Sequence, residues 1–190
     1  MAHGRAPQRC LARSDEAVGY CQGLGFVSAF LLLYLPPGDT LSLLQALLRR
    51  YDMAKLLSRD LVQVRPALDE LSEWVALLLP DVAANFTRVG VEATMYASSW
   101  LITLYSSHFP LEFVAAFMDR FLAQGWPAWF KTALALLQSR RSELAAARDL
   151  EACLGELKGL AARTDGVLGA AARINLSLVK SLNSSALSSS

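Results

Sequence analysis

An almost wholly apolar run from residue 24 to residue 35 constrains the fold of this chain more than any other segment. The run ends at Pro36-Pro37-Gly38, a combination that interrupts regular secondary structure. At about 12 residues, it is shorter than the roughly 20 that a helix needs to cross a bilayer. It therefore predicts a buried core helix over 22–35, with a membrane-associated helical protein as an alternative.

Further helices are predicted from apolar spacing and from the prolines and glycines that separate them. Apolar residues recur every three or four positions from Leu61 to Leu78, the period of an amphipathic helix, which begins or kinks near Pro66. Alternating runs typical of strands are short. The chain is therefore predicted to be all-α, an irregular multi-helix bundle. The other predicted segments are a helix from about 40 to 50, a loop near 51–60, a short helix or turn between 80 and 90, helices over 93–107, 111–123 and 127–139, and weaker helices over 142–163 and 164–180.

The composition excludes several classes of function. Hydrophobic residues make up 54% and charged residues 18% of the chain, which favours packed amphipathic elements over disorder. A formal net charge of +1 gives no basic surface for nucleic acid. Cys10, Cys21 and Cys153 are far apart and indicate reduced thiols in a cytoplasmic protein. His3 and His108 have no partners at ligand spacing, so no metal site is predicted.

Residues 19–23, with the sequence Gly-Tyr-Cys-Gln-Gly, directly precede the apolar run. Two later stretches accompany them in a fixed order: residues 95–104 followed by Phe109-Pro110-Leu111, and residues 118–125 leading into 130–137. Together these three stretches resemble the TBC domain family, the GTPase-activating proteins of Rab GTPases. The resemblance implies an all-helical fold and places this chain over the C-terminal two-thirds of such a domain.

The resemblance implies a role for Gln22, which matches the glutamine of the family's YxQ motif. A glutamine amide can accept a hydrogen bond from the attacking water and donate one to a phosphate oxygen. Tyr20 belongs to the same motif, and Gly19 and Gly23 flank it. The resemblance therefore implies that these three residues contact the partner. The two glycines would let the backbone approach another protein closely.

The family's second catalytic motif, IxxDxxR, which supplies an arginine, does not occur before Gln22. Arg5, Arg9 and Arg13 lie upstream, but none has a matching context. The chain is therefore expected to be N-terminally truncated and to lack the arginine finger. The predicted function is a Rab GTPase activator, a regulator rather than an enzyme with its own substrate. The alternative is a non-catalytic Rab-binding or scaffold module.

The partner implied by the resemblance is a GTP-loaded Rab in vesicle trafficking, with peripheral membrane association through the Rab. No cofactor is implied, because GTP and magnesium belong to the partner. No nucleic acid and no transmembrane segment are expected. The predicted domains are a poorly ordered start at 1–15, a partial TBC-like helical domain at 16–163, and a weak helix with a Ser-rich disordered tail at 164–190.

Each motif also has a plainer interpretation. Gln22 could be an ordinary polar residue at the start of a helix. Tyr96 and Trp100 lie four positions apart, which is normal spacing for one face of a core helix, although aromatic sets can also stack on bases. Asp119-Arg120 is expected to be structural.

The Ser-rich tail generates a stability prediction. Deleting residues 181–190 should leave the melting temperature unchanged, because this segment has too little apolar surface to offset its ordering entropy. Thermal unfolding followed by circular dichroism measures this. A clear drop in the melting temperature would contradict the prediction.

Overall fold

A computed structural model of the chain describes residues 22–57 and 63–177. Within these ranges the structure is helical and has no strand, so the predicted all-α class is confirmed. A short 3-10 turn at Leu160–Ala162 follows the tenth helix. The helices are α1 (Gln22–Leu31), α2 (Pro37–Arg50), α3 (Met53–Leu56), α4 (Val64–Leu78), α5 (Pro80–Val89), α6 (Ala93–Thr103), α7 (Leu111–Gln124), α8 (Trp126–Ser139), α9 (Arg141–Ala146), α10 (Leu150–Gly159) and α11 (Val167–Arg173).

The described residues form two compact units. Unit one comprises residues up to Glu70 together with Ala93–Ala115, and unit two comprises Leu71–Glu92 together with residues from 116 onward. In unit one, α1 packs against α2 and α6, and α2 packs against α3. In unit two, α9 packs against α5, α8 and α10, and α11 packs against α8.

The first helix differs from its prediction in length and burial. It ends at Leu31 rather than at residue 35, and residues 32–35 form a turn in which the Leu35 N–H still bonds to the Leu31 carbonyl at 2.9 Å. The two prolines stop the helix from continuing past residue 35, because the residue before a proline is driven out of the helical conformation, but they do not act on residues 32–34. Burial is also one-sided: Val27 is fully buried, whereas Phe26 is 43% exposed.

The structure also differs from the prediction in two further segments. The expected loop near 51–60 contains α3, which begins after Asp52 in a left-handed conformation and buries Met53 and Leu56. The expected single helix over 142–163 is divided into α9, α10 and the 3-10 turn. Asp149 explains the division, because its carboxylate accepts from the Ala152 N–H at 2.8 Å and so begins a new helix.

Pro66 falls inside the first turn of α4, so the helix begins near it rather than kinking. Gly90 ends α5 in the left-handed conformation that a glycine adopts without strain.

The predicted division into 1–15, 16–163 and 164–190 stays a prediction, because residues 1–21 and 178–190 lie outside the described ranges.

A buried asparagine stabilises unit two. Asn85 on α5 donates to the carbonyls of Leu144 and Ala147, at 2.7 and 3.1 Å. Its own carbonyl accepts from Arg88 at 2.6 Å, and Arg88 also donates to the Ala147 carbonyl at 2.7 Å. These bonds satisfy carbonyls at the C-terminal end of α9 that have no partner within the helix.

The one-sided burial of α1 predicts that a charge introduced at two adjacent positions of the helix destabilises the protein to very different extents. Val27→Asp should lower the free energy of unfolding by several kcal/mol, because an unpaired carboxylate cannot be buried without a large desolvation cost. The control Phe26→Asp places the same charge on the exposed face and should cost less than about 1 kcal/mol. Urea unfolding compares them. Equal losses would contradict the assigned faces.

The asparagine network predicts a second stability effect. Asn85→Ala should lower the free energy of unfolding by about 2–3 kcal/mol, since it removes the donor to the Leu144 carbonyl and one of the two donors to the Ala147 carbonyl. Thr87→Ala is the matched control, because Thr87 is exposed on the same helix and bonds only to the Ala83 carbonyl one turn away. If Asn85→Ala melted like this control, the network would have no structural role.

Candidate functional site

The glutamine of the YxQ motif is the first residue of α1. Gly19 and Tyr20, also predicted to belong to the site, lie outside the described residues. Position 22 therefore lies at a helix N-terminus, where the first backbone N–H groups have no partner within the helix. The first turn of α1 contains no acidic residue. No acidic side chain within this turn therefore offsets the partial positive charge of the helix end.

The burial pattern of α1 distinguishes an inward from an outward side of the helix. Leu24, Val27 and Leu31 are buried on one side, whereas Phe26 and Ala29 are exposed. The side of α1 that carries Phe26 and Ala29 therefore faces away from the packing within unit one.

Gly23 is buried against α6. A methyl group built on Gly23 would lie 2.1 Å from Cγ2 of Ile102 and 3.0 Å from its carbonyl oxygen. Ordinary contact between carbon atoms needs about 3.5–4.0 Å. The close approach that the glycine permits is therefore a contact with its own chain. Contact with a partner at Gly23 stays a prediction.

Ile102 lies in the last turn of α6, next to a cluster of packed aromatic side chains. Trp100 and Tyr105 lie 5.9 Å apart between ring centroids, and Tyr105 and Phe109 lie 5.1 Å apart at nearly right angles. Phe113 stacks on Phe109 at 5.1 Å. All four rings are buried, as is Tyr96, so these aromatics form core packing rather than a surface for stacking bases.

The end of α6 is sharply turned. Leu104 and Tyr105 both have positive φ, at 48° and 66°, and α6 ends at Thr103 rather than near 107 as predicted. Such a conformation costs energy for residues with bulky side chains. Here both side chains are fully buried. Burial, and to a smaller extent the nearby Tyr96, raise the pKa of the Tyr105 phenol well above its usual range, so the ring remains neutral.

Sequence reasoning predicted Gln22 and Gly23 as site residues but gave no indication of Ile102, which contacts Gly23. Ile102 lies within the stretch 95–104 that carries the resemblance, yet nothing in its spacing indicates a contact with Gly23, 79 positions earlier. Arg120 has a structural role, because it donates to the Leu168 carbonyl of α11 at 2.8 Å.

The described residues contain no group of three or more His, Cys, Asp or Glu side chains placed to hold a metal ion. None of the helices in these ranges is long and apolar enough to cross a membrane.

The chain matches the family model of the Rab-GTPase-TBC domain over residues 9–145. It is 34% identical over 130 residues to the Rab GTPase-activating protein eat-17 of Caenorhabditis elegans, an alignment that covers 68% of this chain and 15% of that protein. It is 31% identical over 144 residues to human TBC1 domain family member 1, covering 76% of this chain and 12% of that protein.

Solved structures agree on the fold. The crystal structure of the Chlamydomonas flagellar RabGAP TBC domain matches with a TM-score of 0.79 at 22% identity, covering 90% of this chain and 60% of that one. The YPT/Rab-GAP domain of Gyp1p matches with a TM-score of 0.72 at 19% identity, covering 88% and 63%. The chain thus spans a small part of its curated relatives and about three-fifths of these two domains. On the match over residues 9–145, it belongs to the Rab-GTPase-TBC domain family.

Proposed function

We propose that this chain accelerates GTP hydrolysis by a Rab-type small GTPase and that Gln22 orients the attacking water. The observation that carries the proposal is the place of Gln22 as the first residue of α1, one turn before the exposed Phe26. A relative of the chain, eat-17, is named a Rab GTPase-activating protein. The proposed partner is the GTP-loaded form, met in the cytoplasm or on a membrane that the GTPase itself occupies.

The amide of Gln22 suits this task because it can accept from the water and donate to a phosphate oxygen at the same time. The N–H groups in the first turn of a helix favour a nearby anion such as a nucleotide phosphate, and Gln22 is the first residue of α1. Phe26 lies one turn further along α1 and is 43% exposed, and aromatic residues are enriched where proteins pack against a partner. Gly19 and Tyr20 are proposed to line the same interface.

The proposed catalysis depends on how the reacting groups are positioned. The water must be held in line with the γ-phosphate, and the nucleotide, its magnesium ion and the lysine that contacts its phosphates all belong to the partner. An arginine finger adds about 10³–10⁵ in rate in activators that supply one.

Replacing the glutamine tests the proposal. Gln22→Ala should slow single-turnover hydrolysis by the responsive GTPase at least about tenfold, equivalent to about 1.4 kcal/mol of transition-state stabilisation. Affinity for the GTPase should change little, since water orientation matters chiefly in the transition state. Gln124→Ala, an exposed glutamine in α7, is the matched control and should keep the wild-type rate.

A panel of Rab-type GTPases, each loaded with GTP, provides the substrates. If the wild-type chain binds a panel member but accelerates none, the non-catalytic binding module replaces the activator. If Gln22→Ala and Gln124→Ala have equal rates, Gln22 does not orient the water.

A further inference from the structure

Gly23 is in contact with the chain's own α6 at the point where α1 begins. A methyl group added at this position would have as its nearest atoms Cγ2, the carbonyl oxygen and the carbonyl carbon of Ile102, at 2.1, 3.0 and 3.4 Å. Two of these three atoms belong to the backbone of α6, which cannot move without disturbing a helix. The third belongs to a β-branched side chain, whose χ1 is restricted in a helix.

We infer that Gly23 is a positioning residue: by packing without a side chain on Ile102, it fixes where α1 begins and therefore where Gln22 is presented to the GTPase. This inference rests on the proposed function. Gln22 and Gly23 share a peptide bond, so any displacement of α1 away from Ile102 moves the backbone of Gln22 as well. The inference also gives Gly23 a role that does not require contact with the partner.

The size of the expected displacement follows from the distances. Relieving a contact of 2.1 Å to the usual 3.5 Å or more requires a shift of about 1 Å or more, by α1, by Ile102 or by both. A misplacement of about 1 Å can slow a reaction on the order of 10²-fold when geometry supplies the catalysis. The affinity for the GTPase depends on a wider surface and should be affected much less.

The support beneath Gly23 is rigid, so the strain is not absorbed elsewhere in α6. Leu101 and Thr103, the neighbours of Ile102, are buried, and the Thr103 hydroxyl donates to the Ser99 carbonyl at 2.6 Å. The aromatic rings of Trp100 and Tyr105, which come shortly before and after Ile102 in the chain, contact each other at 5.9 Å between centroids. On α1, the buried Ser28 hydroxyl donates to the Leu24 carbonyl at 2.8 Å, so this polar group does not need a partner outside the helix.

A double-mutant cycle between positions 23 and 102 tests the inference. Gly23→Ala should lower the maximal single-turnover rate about 10²-fold, with less than about threefold change in the GTPase concentration at half-maximal rate. Ile102→Ala removes the Cγ2 methyl and by itself should lower the rate less than about tenfold. The double variant should recover at least about tenfold over Gly23→Ala, because the new methyl occupies space that Ile102 has vacated. Recovery should be incomplete, since the contact with the Ile102 carbonyl remains.

Gly155→Ala is the matched control. Gly155 lies within α10, and a methyl group there meets no atom within 4 Å. This variant should keep the wild-type rate. If Gly23→Ala does not fold alone, the double variant is compared with Ile102→Ala: rates within about threefold support the inference, and a double variant at least tenfold slower overturns it.

A measurement on the free protein separates the packing from the proposed activity. The backbone amide resonance of Gln22 in a nitrogen–proton NMR spectrum should shift in Gly23→Ala and return toward its wild-type position in the double variant. If no GTPase responds to the wild-type chain, the proposed function fails, and the resonance alone decides whether Gly23 positions Gln22. Wild-type rate in Gly23→Ala, no recovery in the double variant, or an unmoved resonance would each overturn the inference.

Discussion

The absence of a side chain at Gly23 is the constraint on which the arrangement of unit one depends. It allows α1 to approach the backbone of α6 at Ile102 more closely than any other residue would permit. Once that contact is made, the rotation of α1 is set, with Val27 and Leu31 inward and Phe26 outward. A packing requirement inside unit one therefore determines which face of α1 is exposed.

The contact between Gly23 and Ile102 sets the position of α1 only because α6 is itself held in place by packing. Its last turn runs into two residues of positive φ, Leu104 and Tyr105, and a backbone of that kind persists only where the surroundings hold it. Here they do so through edge-to-face contacts of Tyr105 with Phe109 and Phe113 at 5.1 and 5.9 Å. The energetic gain from burying these large rings offsets the local strain. The position of the first turn of α1 thus depends on hydrophobic packing at the C-terminal end of α6.

The sequence predicted the helices well where prolines and glycines mark their ends, as with Gly90 after α5 and Gly125 before α8. It also indicated the family, because residues 19–23 precede an apolar helix. It failed where tertiary contacts decide. Uniform hydrophobicity from 24 to 35 could not show that Phe26 is exposed, and nothing local indicates that α3 forms through burial of Met53. The partner of Gly23 was beyond sequence reasoning, because the contact joins residues 79 positions apart and is defined by shape rather than by residue type.

Family membership fixes the fold, whereas the chemistry depends on whether the start of α1 meets the transition state of GTP hydrolysis. The most direct measurement is the affinity of this chain for a GDP-loaded Rab-type GTPase with and without aluminium fluoride. Aluminium fluoride mimics the γ-phosphoryl group in the transition state of hydrolysis. An activator is complementary to the transition state rather than to the ground state. The account predicts binding at least about tenfold tighter when fluoroaluminate is present. Equal affinity in both conditions, for every GTPase that binds, would contradict it.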